Sequence, residues 1–211
     1  MSFKAVIFDF GGVFTSSPFE AFARYERERG LPENLIRTIN AANHEDNAWA
    51  RFERAELTLD EFDAAFAAEA RALGHHVPGR DVIPLLRGDF RPDMIEALRR
   101  IHQVMKTGCI TNNVPANVQG TDEAKNLYRA PIMAEFDHVI ESAKVGLRKP
   151  DPRIYQMMLD ALGVDGAASI YLDDLGVNLK PARQMGMATI KVTSGPQAIG
   201  ELEQLTGLKL S

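Results

Sequence analysis

Cysteine is nearly absent. Cys109 is the only one in 211 residues, so no internal disulfide can form, and such usage fits a reducing compartment. No block of Lys and Arg occurs, and 24 basic against 29 acidic residues leave a net charge of −5. That argues against nucleic acid as a partner, because phosphate backbones are bound by clustered cations. A small phosphorylated substrate needs only one or two local cations and stays open. No apolar run approaches the roughly 20 residues of a membrane span, so no membrane partner is expected. The opening residues, Met1 to Phe8, are too soon followed by Asp9 to form a secretory signal, and a cytoplasmic location is the expectation. Internal repeats and low-complexity tracts are missing too, and nothing bears on oligomeric state. The composition, 45% hydrophobic and 25% charged, can bury a core, and the length suggests one core with a modest insertion.

Short apolar runs at Ala5 to Phe8, Val104 to Ile110, Val139-Ile140, Ser169 to Leu172 and Ala188 to Val192 read as buried strands. Helical spacing separates most of them. Met94, Ile95, Leu98 and Ile101 follow Pro92; Ile154, Met157, Met158, Leu159 and Leu162 follow Pro152 and end at Gly163. Asn178 to Met185 gives a further helix closed by Gly186. Strand alternating with helix predicts an α/β fold with a doubly wound parallel sheet covered on both faces. Residues 16–90 break the rhythm with amphipathic stretches and no convincing strand. One carries Phe19, Phe22 and Tyr25; another opens with a capping box, Thr58-Leu59-Asp60-Glu61. This segment is expected to be an all-helical cap over a core of residues 1–15 and 91–211, because ligands bind at the carboxyl ends of such strands.

Four features fall where strands end. In Asp9-Phe10-Gly11-Gly12 a carboxylate meets glycines that permit a tight turn and close approach of a ligand, although an Asp there could simply cap a turn. Thr111-Asn112-Asn113 offers a hydroxyl and amides to anionic oxygens, as polar turn residues also do without function. Lys149, in Lys149-Pro150-Asp151-Pro152, can neutralise phosphate and carboxylate together or stand solvated at a helix start; Lys144 is read as a surface residue. Asp173 and Asp174 repel each other unless a cation or hydrogen-bond donors offset the charge, and a hard divalent ion such as Mg²⁺ fits oxygen ligands.

In this order the four features resemble the haloacid dehalogenase-like superfamily, over nearly the whole chain. Glu141-Ser142, Val145-Gly146, Lys149 to Pro152, Ile154-Tyr155 and Leu172 to Arg183 are most similar to the N-terminal phosphatase domain of soluble epoxide hydrolases. A domain of some acyl-CoA dehydrogenases and bacterial sugar-phosphate phosphatases are similar too. The resemblance implies a Rossmann-like core with a helical cap and a Mg²⁺-dependent phosphatase acting on a small phosphorylated metabolite, with sugar phosphates among the candidates. It implies that Asp9 is the nucleophile and forms an aspartyl-phosphate, and that Thr111, Asn112 and Lys149 hold the phosphoryl group. Mg²⁺ would be held by Asp9, the Gly11 carbonyl, Asp174 and Asp173 (the last in the first or second shell), with Asn178 supporting the acidic loop. One departure stands out: Gly11 occupies the position of the family's second Asp, the general acid and base, whose contribution is about 10²–10⁴-fold. Two alternatives therefore accompany the phosphatase: a 2-haloacid dehalogenase-type hydrolase, and a catalytically weak binding or regulatory domain. The acidic pair argues against the former, and retention of the other motif residues against the latter.

Other features carry less. His75-His76 has no partner at ligand spacing and reads as an exposed loop pair. Cys109 reads as a small core residue. Trp49, Phe52 and the Phe19/Phe22/Tyr25 stripe are expected to pack as core, Trp49 and Phe52 alternatively lining a substrate pocket.

Overall fold

Strand β1 (Ala5–Phe8) is buried at every position. Its side chains alternate between two apolar layers, Val6 and Phe8 facing one, Ala5 and Ile7 the other. The computed structural model describes residues 3–113 and 129–210. Around β1 lie β2 (Lys106–Thr111), β3 (His138–Glu141), β4 (Ser169–Asp173) and β5 (Ala188–Lys191), all parallel, in the order β3-β2-β1-β4-β5. The order reverses beside β1, so β1 and β4 flank the switch point at which open α/β sheets bind ligands.

Helices α1 (Phe19–Glu28), α2 (Leu35–Ala41), α3 (Ala48–Glu53), α4 (Leu59–Ala72) and α5 (Gly79–Val82) intervene between β1 and α6 (Pro92–His102). The later helices are α7 (Ser142–Val145), α8 (Pro152–Leu162), α9 (Gly176–Gln184) and α10 (Gly195–Thr206). Apolar stripes of α6 and α10 cover the Val6/Phe8 face of the sheet, and those of α8 and α9 cover the other. Gly108 lets α8 approach β2 closely: a Cβ there would run into the Met158 thioether. Helices α1 to α4 share an apolar cluster of their own, including Phe22, Ile36, Phe52, Phe62 and Phe66. The Thr58–Glu61 capping box and the left-handed cap at Gly163 form as the sequence predicts. The helical insert joins the sheet through two adjacent strands of chain, paired at Thr15 and Phe90.

The second strand starts later than its apolar run suggests. The Ile101 carbonyl accepts from the N–H groups of both Val104 and Met105, which turns the chain out of α6 and leaves Val104 62% exposed. Pairing begins only at Lys106 and continues to Thr111.

Candidate active site

The strand ends bring the acids together. The Asp9 N–H donates to the Leu172 carbonyl at 2.8 Å, extending the β1–β4 ladder past the last strand residue and fixing where the carboxylate starts. One carboxylate oxygen each from Asp9, Asp173 and Asp174 lies within 4.8 Å of the others. Lys149, 1% exposed, stands among them, its Nζ 2.8 Å from Asp9 Oδ1 and 2.9 Å from Asp173 Oδ2. Asp9 Oδ1 also accepts from the Phe10 N–H at 2.6 Å. Gly12 has φ +73°, and a Cβ there would collide with the Asp174 carboxylate, so both backbone conformation and space require glycine. Gly11 opens onto the cavity with nothing near its missing Cβ.

Adjacent positions 173 and 174 face different surroundings. Asp173 is fully buried and its oxygens accept from Lys149 Nζ, Tyr171 Oη (2.6 Å), the Leu175 N–H (2.8 Å) and Asn178 Nδ2 (3.0 Å). Asp174 is partly exposed and lines the cavity. Asn178 thus braces the acidic loop, and its carbonyl accepts from Tyr155 Oη at 2.7 Å. Burial pushes Asp9 up to about 8, against Lys149 and reinforced by Asp173 and Asp174; burial and Asp173 push Asp174 up to about 6. Burial works against the Lys149 charge, yet Asp173 and Asp9 outweigh it and hold the ammonium above the ordinary lysine range.

Lys149→Ala is expected to cost about 3–5 kcal/mol, because it strands two neighbouring buried carboxylates. Urea unfolding of the metal-free protein at pH 8 measures it. The loss should shrink at pH 5, where Asp9 carries a proton, and a loss below about 1 kcal/mol at both pH values would contradict the pairing.

Thr111 is buried at the end of β2 and lines the cavity. Asn112 lines the cavity, and its amide is also engaged with protein. Its Oδ1 accepts from the Lys149 N–H at 2.9 Å, and its Nδ2 donates to the Lys149 carbonyl at 3.0 Å and to Glu53 Oε2 at 3.2 Å. Asn113 pairs with Ser142, Ala143 and Glu141. Lys144 is 75% exposed and pairs with Glu141. His76 is exposed, and among the described residues neither histidine of that pair joins a metal-ligand cluster. Cys109 is fully buried, and burial pushes its thiol up.

A cavity of about 710 Å³ lies between the acids and the helical insert. Phe19, Phe22, Trp49, Ile83, Leu86 and Phe90 supply much of its apolar wall. Phe22 and Trp49 therefore serve both the insert's core and the cavity, and Phe19, expected as core, is partly exposed on the wall with the Arg37 guanidinium 4.3 Å from its ring centre. Phe52 packs instead, stacked on Phe62 at 4.3 Å.

Residue-by-residue reading missed Tyr171, Glu53, Arg91 and Arg148. Tyr171 had a signal, being two positions from Asp173 on the same strand face. Arg91, whose Nη1 donates to the Gly12 carbonyl at 2.8 Å, and the Glu53–Arg148 pair had none, since their partners lie 79 and 95 residues away.

Comparison with known proteins agrees with this geometry. The model of the haloacid dehalogenase-like hydrolases matches residues 3–186. Bifunctional epoxide hydrolase 2 of Sus scrofa is 31% identical, covering 100% of this chain and 40% of that protein. The chain spans only 20% to 40% of the length of several curated relatives it matches. A sesquiterpene phosphatase of Aspergillus oryzae is 29% identical over 98% of both chains. The fold is shared with a haloacid dehalogenase-family enzyme of Bacteroides thetaiotaomicron, solved with magnesium and inorganic phosphate: TM-score 0.62, 18% identity, covering 92% of this chain and 96% of that one. A family match across most of the sequence, on a parallel sheet whose strand ends gather these acids, identifies the chain as a member of the haloacid dehalogenase-like hydrolases.

Proposed function

We propose that the chain is a Mg²⁺-dependent phosphatase that forms an aspartyl-phosphate on Asp9, and that its substrate is a phosphate monoester with a largely hydrocarbon body. The observation that carries this is the Lys149–Asp9 pair beside the three-carboxylate cluster, on the floor of an apolar cavity. With Oδ1 held by Lys149 and the Phe10 N–H, Oδ2 is the oxygen left to attack phosphorus. The attack forms the Oδ2–P bond and expels the leaving oxygen with its electron pair. Water attacking the same phosphorus then breaks that bond, freeing phosphate and Asp9. Lys149 and the Thr111 hydroxyl would hold the transferring oxygens, and Asn112 would act by fixing the Lys149 backbone. Residues 16–90 would serve as the cap and residues 1–15 and 91–211 as the catalytic core.

The donors fit Mg²⁺. Three close carboxylates facing one ammonium leave uncompensated negative charge, and an all-oxygen set suits a hard cation. Asp9, the Gly11 carbonyl and Asp174 would hold the ion, with Asp173 behind them, already occupied by four donors and braced by Asn178. Bound there, Mg²⁺ would supply neutralisation of the phosphoryl oxygens. The same acidic cluster argues against the dehalogenase alternative, which needs no cation.

Metal binding should depend on pH in a defined direction. Asp9 and Asp174 hold protons up to about 8 and about 6, and ligation requires both ionised, so Mg²⁺ affinity should rise with pH from 5 to 8 with proton release. The folded metal-free protein keeps on Asp9 a proton that the unfolded chain loses near 3.8, so its stability falls as pH rises between those values. The Mg²⁺-induced increase in Tm should accordingly be larger at pH 8 than at pH 6. Titration calorimetry in buffers of different ionisation enthalpy measures the proton release; identical heats in every buffer would contradict it.

The substrate class is tested with straight-chain alkyl phosphates beside glucose 6-phosphate, with and without Mg²⁺. Burying a methylene contributes about 0.8 kcal/mol, so kcat/KM should climb about threefold to fourfold per carbon until the cavity is filled. A preference for the sugar phosphate would sink the hydrocarbon reading, and no Mg²⁺-dependent phosphate release on any substrate would sink the phosphatase itself.

A further inference from the structure

Helix α3 of the insert ends in a buried acid, Glu53, that reaches across to the sheet domain. From the insert side it is anchored by Trp49, whose indole N–H donates to Glu53 Oε1 at 3.0 Å and whose ring meets Phe62 edge-on. Phe52, the residue before it, stacks on Phe62. On the other side Glu53 Oε2 accepts from Arg148 Nε at 2.7 Å and from Asn112 Nδ2 at 3.2 Å. Its backbone carbonyl accepts from the fully buried Ser142 hydroxyl at 2.7 Å. Arg148 also donates through Nη1 to the His44 carbonyl at 2.8 Å, so the insert holds this arginine at two points.

These contacts converge on one residue, Lys149. Asn112 uses Oδ1 for the Lys149 N–H and one Nδ2 hydrogen for the Lys149 carbonyl; Glu53 takes the other Nδ2 hydrogen. All three hydrogen bonds together set the plane of the amide, and only the bond to Glu53 comes from outside the sheet domain. Arg148, next to Lys149 in sequence, is tied to the same Glu53 oxygen by a charge-assisted bond between side chains 19% and 10% exposed, where water screens it little. The backbone that aims the Lys149 ammonium between Asp9 and Asp173 is thus gripped on two sides by one carboxylate of the insert.

We infer that Glu53 is a positioning residue: through Asn112 and Arg148 it sets the placement of Lys149, so that docking of the helical insert and readiness of the phosphoryl site are one event. The functional half rests on the phosphatase reading above; the Glu53–Asn112–Lys149 linkage does not. Misplacing a reacting group by about 1 Å can cost 10²-fold, so loss of one of several restraints should cost about tenfold.

Acetyl phosphate is the probe, because a two-carbon body leaves most of the apolar wall untouched. Glu53→Ala should lower its kcat about tenfold and change KM less than twofold. Glu53→Gln should restore most of the rate, since its amide oxygen can still accept from Asn112 and Arg148. Asn112→Ala should match Glu53→Ala, with the double variant no slower than either single one. A second readout needs no activity: exchange of the Lys149 amide hydrogen, followed by NMR, should quicken at least tenfold in Glu53→Ala. Should that variant melt below the assay temperature, Glu53→Met keeps the volume without the acceptor and carries both measurements. A normal acetyl phosphate kcat in the variant with only the KM of longer alkyl phosphates raised would make Glu53 a cavity-wall residue and overturn the inference, as would unchanged Lys149 exchange. Absence of Mg²⁺-dependent turnover in the wild type would instead overturn the phosphatase reading, and amide exchange alone would then decide the linkage.

Discussion

Asp9→Asn should reduce phosphate release to background, a fall of about a thousandfold or more. The carboxamide keeps the shape of the side chain but has no anionic oxygen to attack phosphorus, and it offers a weaker partner to the Lys149 ammonium. The fold should survive. One of three clustered carboxylates becomes neutral, Asp173 still pairs Lys149, and the burial that pushes Asp9 up to about 8 no longer opposes a charge. At pH 8 without metal the variant should therefore melt at or above the wild-type temperature. An inactive and stable protein separates loss of a nucleophile from loss of structure. Phosphate release and a thermal melt on the same sample measure both; turnover at the wild-type rate would remove Asp9 from the mechanism.

Gly11→Asp is expected to act in the opposite direction. Position 11 lines the cavity two residues after Asp9, a Cβ there meets no atom within 4 Å, and its φ lies outside the left-handed region. An aspartate can therefore enter without strain. A positioned acid–base group contributes about 10²–10⁴-fold, and its value depends on how badly the leaving oxygen needs a proton. The variant should hydrolyse an alkyl phosphate, whose alkoxide is a poor leaving group, about a hundredfold faster. An aryl phosphate, which departs readily as a phenolate, should gain little in the step that releases it. The ratio of the two kcat values is the measurement. No change in either would mean that the wild type already has a proton carrier, and that Gly11 is no deficit.

Much of the site was legible along the chain because chemistry-bearing residues follow apolar runs directly. Asp9 follows Ala5–Phe8, Thr111 follows Ile110, and Asp173 follows Leu172; placing the runs as parallel strands puts all three at one sheet edge. Two readings shifted for identifiable reasons. Val104 is apolar yet turns out of α6, because apolarity alone does not distinguish a strand from a helix exit. Asn112 lines the cavity as its place after β2 suggests, but the strand end also holds its carboxamide between the N–H and carbonyl of Lys149, with which it pairs.

What local chemistry could settle was the inventory: a carboxylate after the first strand, a glycine pair directly beyond it, an acidic pair and a lysine before a helix. Periodicity also settled the layered α/β plan, since strand and helix patterns depend on near neighbours. Position 53 could not be read this way. Glu53 sits on a short amphipathic stretch like many surface acids, and becomes buried only because chain 59 to 95 residues further on brings Asn112, Ser142 and Arg148 against it. Nor could the different fates of Asp173 and Asp174 be told from two identical letters. Asp173, the last residue of β4, shares the inner face with Tyr171 and is held there by Lys149, Tyr171 and Asn178, whereas Asp174 lies just past the strand, where the chain bends, and faces the cavity. Residue type states which bonds a side chain can make; long-range packing selects among them, because burial and partners are supplied by distant parts of the chain.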